Sequence, residues 1–143
     1  MTDDSRYARG WETLTRINGT DDPKVVKAID ALAPHLARAI VEFGYGDSYA
    51  ARPQDILDAR QRQLVTLGSL VALGGAEDQL AVHVNVALNV GLEPDQIVEA
   101  ISHALPFAGF PRAINALDVV RRVFERRGVW TSDAYRAPAH PVD

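Results

Sequence analysis

The 143-residue chain contains no cysteine. Thiolate chemistry is therefore excluded, both as a nucleophile and as a metal ligand, because the reacting species in each role is the deprotonated sulfur. No apolar stretch reaches the ~18 residues that span a bilayer. No apolar run follows a basic start either, since the chain opens Met1-Thr2-Asp3-Asp4. A cytoplasmic protein without membrane contact is expected. Charge of one sign is not concentrated: the net charge is −4, and the doublets Arg121-Arg122 and Arg126-Arg127 are countered by Asp118 and Glu125. A phosphate-tracking surface needs a concentrated basic stripe, so nucleic acid is not an expected partner.

What is present suits a folded protein. Hydrophobic residues make up 47% of the chain and charged residues 24%, far from the composition of disorder. The length is that of one domain, able to bury roughly two thirds of its unfolded surface. That domain is expected over residues 1–130, with a tail over 131–143 that is loosely held or drapes a neighbour.

Convincing period-two alternation is missing, and Pro, Gly and Asp punctuate the chain into helical segments, so an all-α fold is predicted. A first helix starts at Asp3-Asp4-Ser5 and stops at Asn18-Gly19. A second opens at Asp22-Pro23 and is broken or kinked at Pro34, with Leu36, Ile40 and Phe43 on the face of its second piece. Residues 44–55, rich in Gly, Tyr, Asp, Ser and Pro, read as a loop. Asp55 is the expected cap of a helix reaching Leu73, ended by Gly74-Gly75. The next, Glu77 to Val90, is apolar nearly all round and so is expected to be buried in the domain or between subunits. A helix from Glu93-Pro94 is interrupted at Pro106, and the last runs from Gly109-Phe110-Pro111 to Gly128.

Some polar residues do not fit a bland core. His83 lies in the most apolar helix, in register with Leu80 and Ala87. It is either a packed neutral imidazole with one partner or a general acid or base, since imidazole titrates near neutrality. Glu99 and His103 share a helical face, where they form an exposed pair worth about 0.2–0.5 kcal/mol or a carboxylate–imidazole relay. Arg62 beside Leu64 either snorkels along the surface or grips a substrate carboxylate bidentately. The stretch Tyr45 to Pro53, with Tyr49 and Arg52, has the make-up of a binding loop, though each residue also has an ordinary turn role. His83 and His103 lie on different predicted helices without ligand spacing, so no metal is expected.

The order of these pieces is more specific than any one of them. Arg6-Tyr7 with Gly10, Tyr45-Gly46-Asp47, Tyr49, Arg52-Pro53, Arg62 and Leu64 are followed by Leu80-x-x-His83, Ala87, Asn89 and Gly91. Ile97-x-Glu99, His103, Phe107-Ala108-Gly109-Phe110-Pro111 and Asn115-Ala116 complete the set. The chain thus resembles the carboxymuconolactone decarboxylase family of the alkylhydroperoxidase-D-like superfamily, in its cysteine-free branch. The resemblance implies an oligomeric helical bundle, a trimer or a hexamer. It also implies loss of CO2 from a carboxylated unsaturated lactone to give an enol-lactone in aromatic-acid catabolism, without a cofactor. The substrate is then a small anion. The implied catalytic residues are His83, with His103 and Glu99 as a secondary relay; Arg62, Arg52, Tyr49 and Phe107 are the implied substrate contacts. Three departures stand out: Gln79 where Glu is usual, Pro106-Phe107 in place of aliphatic-Tyr, and Gln54-Asp55 interrupting Pro-Gly-Leu. They leave open a same-fold lyase, isomerase or cyclase for another small carbonyl compound, or a non-catalytic binding or assembly protein.

Overall fold

The structure, a computed structural model, describes residues 3–137, and every regular element among them is helical. Two compact units are present, Met1–Leu57 and Asp58–Asp143.

In the first unit, α1 (Asp3–Asn18) is followed by α2 (Lys24–Leu32), α3 (Pro34–Ala39) and a π-helix over Ile40–Ala50. The apolar registers of α1, α2, α3 and the π-helix converge on Leu14, Val26, Ala37 and Val41, with Tyr7, Trp11, Ile29 and Tyr45 packed around them. The π-helix replaces the first part of the loop expected over 44–55, residues 51–55 remaining irregular, and its wide turn is still visible at its end, where the Ala51 N–H donates to the Gly46 carbonyl at 2.9 Å. Glycine misled the reading because here it serves packing. A Cβ at Gly10 would collide with the Val41 carbonyl, and one at Gly46 would come within 3.2 Å of the Arg6 carbonyl. Absent side chains let α1 and the π-helix approach backbone to backbone.

Charge fastens the same elements. Arg6 pairs with Asp47 through two of its nitrogens, Arg9 reaches Asp47 at 3.4 Å, and Arg38 meets the buried Glu42 at 2.8 Å. The Arg38 guanidinium also stands 5.6 Å from the Tyr7 ring centre, a cation–π contact. Asp47, clasped chiefly by its hydrogen bond from Arg6, has its carboxyl held below the usual range.

The second unit holds α4 (Ala59–Leu73), α5 (Glu77–Asn89), α6 (Pro94–His103), α7 (Leu105–Ala108), α8 (Phe110–Arg127) and α9 (Asp133–Arg136). Asp58, rather than Asp55, caps α4: its carboxylate accepts from Gln61 N–H at 2.9 Å while Gln61 Oε1 accepts from Asp58 N–H at 2.9 Å. A capping box needs Glu or Gln three residues after the cap, which Asp55 lacks. Leu67, Val71, Leu80, Val84, Ile97, Ile101, Val120 and Val123 are among the residues of the one large apolar cluster. At the end of α8, Gly128 adopts the left-handed conformation (φ 64°) and closes the helix.

The segment after Trp130 is seated on the unit as far as the described residues go. Ser132 accepts from the Tyr135 N–H and starts α9; its own N–H and hydroxyl donate to Asp95 at 2.7 and 2.5 Å. Local capping plus acceptors on α6 hold what composition alone reads as a loose tail. Residues 138–143, the rest of that expected tail, lie outside the described residues.

Candidate functional site

α5 is rolled by its apolar side chains. Leu80, Val84, Val86 and Ala87 are buried, and Arg127 at the end of α8 donates to Asn85 and Asn89 at 3.2 and 3.0 Å. This roll turns His83 toward α4. There its Nδ1 lies 3.1 Å from Oε1 of Gln63, a side chain with 0% exposure. The imidazole is half-buried, and burial pushes its pKa below the ordinary 6.5; no charged group contributes to that shift. At neutral pH it is therefore an uncharged ring, whose Nδ1 faces the amide of Gln63. Arg62 precedes Gln63 on α4 and is half-buried, its carbonyl accepting from the Thr66 hydroxyl at 3.0 Å.

A different face of α4 borders a large cavity of about 920 Å³, walled by Leu64, Val65, Gly68, Ala100, Ala104 and Phe107. Asp95, Glu99, His103 and Tyr135 also line it; His83 does not. Glu99 and His103 thus fall on one cavity, as their spacing requires, yet the hydrogen-bond partner of the Glu99 carboxylate is the Tyr135 hydroxyl at 3.0 Å. The His103 ring meets Phe107 edge-on, with centres 6.1 Å apart. Phe107 is 80% exposed. The carboxylates on this wall are of the wrong sign for an anionic ligand.

Tyr49 and Arg52 belong to the first unit. The Tyr49 ring lies tilted 6.3 Å from that of Tyr45, and the backbone carbonyls of both Tyr49 and Arg52 accept from the Gln54 amide at 2.8 Å. Among the described residues no group of His, Asp and Glu gathers to hold a metal ion, and no helix is long and apolar enough to cross a membrane.

Gln63 is the residue sequence reasoning missed. Its signal was present: it occupies the register of Leu67 and Val71, a polar side chain on the core-facing stripe of α4. A buried amide needs a partner, and the residue in want of one twenty positions on was His83.

Residues 34–122 match the model of a family described as the carboxymuconolactone decarboxylase family. The chain is 30% identical over 130 residues to 4-carboxymuconolactone decarboxylase of Acinetobacter baylyi, covering 90% of this chain and 94% of that one. It is 35% identical over 83 residues to nitrosuccinic acid decarboxylase of Metarhizium robertsii, covering 58% of this chain and 55% of that one.

Proposed function

The chain belongs to the carboxymuconolactone decarboxylase family, and from that premise we propose that it is a cofactor-independent decarboxylase acting on a small carboxylated, unsaturated lactone. The observation that carries the reading is His83, a half-buried imidazole whose Nδ1 is engaged by the buried Gln63 amide. The similarity to two proteins named as decarboxylases supports the reaction class.

In the reaction, the bond from ring carbon to carboxylate breaks, CO2 departs, and the electron pair spreads through the unsaturated ring onto the lactone carbonyl. A proton delivered to carbon then yields the enol-lactone. The protein has to supply an anchor for carboxylate, a partner for the developing oxyanion and that proton. Arg62 is assigned the anchoring role. His83 is assigned the proton. Its ring is neutral in the empty protein because burial disfavours the charged form, but an anionic substrate beside it favours the imidazolium. The substrate thus draws in the proton it will consume.

A homo-oligomer, trimer or hexamer, is part of this reading. Its support is no longer α5, which the unit's own helices largely cover, but the exposed apolar side chains Val65, Leu73, Phe107, Phe110 and Ile114. A lyase, isomerase or cyclase acting on another small carbonyl compound is the second reading, favoured by Gln79 and Phe107. Purified protein incubated with a panel of unsaturated lactone acids, with absorbance and CO2 followed together, tests the proposal. Absorbance change with stoichiometric CO2 is the expected result; absorbance change without CO2 selects the second reading, and no change with any member overturns both.

A further inference from the structure

We propose that Gln63 is a positioning residue, which holds His83 in the Nδ1–H tautomer and leaves Nε2 as the nitrogen that exchanges protons with substrate. This rests on the assignment of His83 above.

The two helices present the pair in a way that leaves few alternatives. Gln63 has 0% exposure and sits on the stripe with Leu67 and Val71, so its amide cannot turn to water. His83 is fixed by a helix whose neighbouring side chains Leu80, Val84 and Ala87 are buried. A carboxamide oxygen 3.1 Å from Nδ1 only accepts, so it selects the ring form that carries its hydrogen there. That form is also the one left after Nε2–H has been given away. An imidazolium that donates through Nε2 relaxes directly to the tautomer Gln63 stabilises, with no ring flip between turnovers. An amide adds a second property that a carboxylate would not: it orients the ring without contributing charge, so the proton affinity of His83 remains responsive to the substrate anion.

The test joins spectroscopy to kinetics. In ¹⁵N-labelled wild-type protein at pH 7.5, the His83 ring is expected to show a protonated Nδ1 and a lone-pair Nε2. Gln63→Met, of similar length and without an acceptor oxygen, is expected to lose that single form to a mixture and to lower kcat about 10–100-fold, the usual effect of removing a partner that orients a reactive histidine. Gln63→Glu should retain the tautomer but move the pH profile of kcat/KM to higher pH, because the carboxylate favours the imidazolium. A merely structural Gln63 would lower the melting temperature in both variants without moving the tautomer in Gln63→Met. An Nε2–H ring in the wild type, or an unchanged tautomer in Gln63→Met, overturns the proposal. A tautomer held by Gln63 in a protein whose folded His83→Gln variant turns over normally would uphold the positioning and instead remove His83 from the reaction.

Discussion

Each of the two units is held together internally by different physics. Met1–Leu57 closes on itself through backbone contact at Gly10 and Gly46 and through guanidinium–carboxylate pairs around Asp47 and Glu42. Asp58–Asp143 relies on a continuous apolar cluster, and its fully buried polar side chain is the one bonded to His83. Ion pairs near a surface contribute little and are screened by salt. Apolar burial is insensitive to salt screening, and within it each polar group must be matched individually. A proton-transfer group gains from the second environment: it is oriented by one neighbour and desolvated by the rest.

The largest effect that would break this division is on turnover. His83→Gln is expected to cut kcat by roughly 10²–10⁴, the share of general acid–base catalysis, while circular dichroism shows the helices retained. His103→Gln is expected to cost far less. Should the two variants lose equal activity, the chemistry belongs to the cavity of Glu99 and Phe107.

Next comes packing in the first unit. Gly10→Ala places a methyl group against the Val41 carbonyl and is expected to cost about 1–3 kcal/mol. Trp11 and Trp130 report on the two units separately, so single-tryptophan variants (Trp130→Phe and Trp11→Phe) show which one responds to urea. A lowered midpoint at Trp11 is the expected outcome, and an unmoved one would mean that α1 and the π-helix can part without loss.

A smaller effect separates the units by pH. The His83 pKa is lower in the folded protein than in the unfolded chain. Its contribution is therefore complete above the unfolded value of about 6.5 and is lost as pH falls toward the folded one, with a slope of at most about 1.4 kcal/mol per pH unit. The lowered Asp47 pKa works in the same sense but from the carboxylate range near 3.8 downward. Melts between pH 7.5 and 5 should show the Trp130 signal destabilised first, and His83→Gln should flatten that slope. The smallest effect is that of salt. Raising NaCl to about 1 M should weaken the first unit by less than about 1 kcal/mol and leave the second almost unaffected; an equal response in both would contradict the contrast.

How much of this was legible beforehand follows the same line. Helices announced by apolar period and by Pro or Gly at their ends were read nearly to the residue: α1 closes at Asn18, α5 runs Glu77–Asn89 and α8 ends before Gly128. These signals are local. The π-helix was not legible, because Gly46 looks like a turn residue until α1 lies against it, and that contact is a property of three dimensions. Asp58 was legible and overlooked, since Gln61 completes its box. His83 was singled out by its apolar surroundings, but Gln63 was passed over because a glutamine between arginine and leucine reads as surface. The juxtaposition of Glu99 and His103 was anticipated from spacing. The engagement of Glu99 by Tyr135, from a segment read as a tail, was not.

That last engagement gives α9 a role beyond its length. Asp95 and Glu99 stand four residues apart on α6, where like charges repel by a few tenths of a kcal/mol, and α9 meets each with neutral donors from Ser132 and Tyr135. A chain ending at Val129 would leave two neighbouring carboxylates without these donors and remove Tyr135 from the lining of the hollow beside Phe107. Through Tyr135, α9 is thus part of the wall. Truncation at Trp130, or a fusion that pulls on residues 131–137, would alter what that hollow admits while leaving its α4 and α6 lining in place.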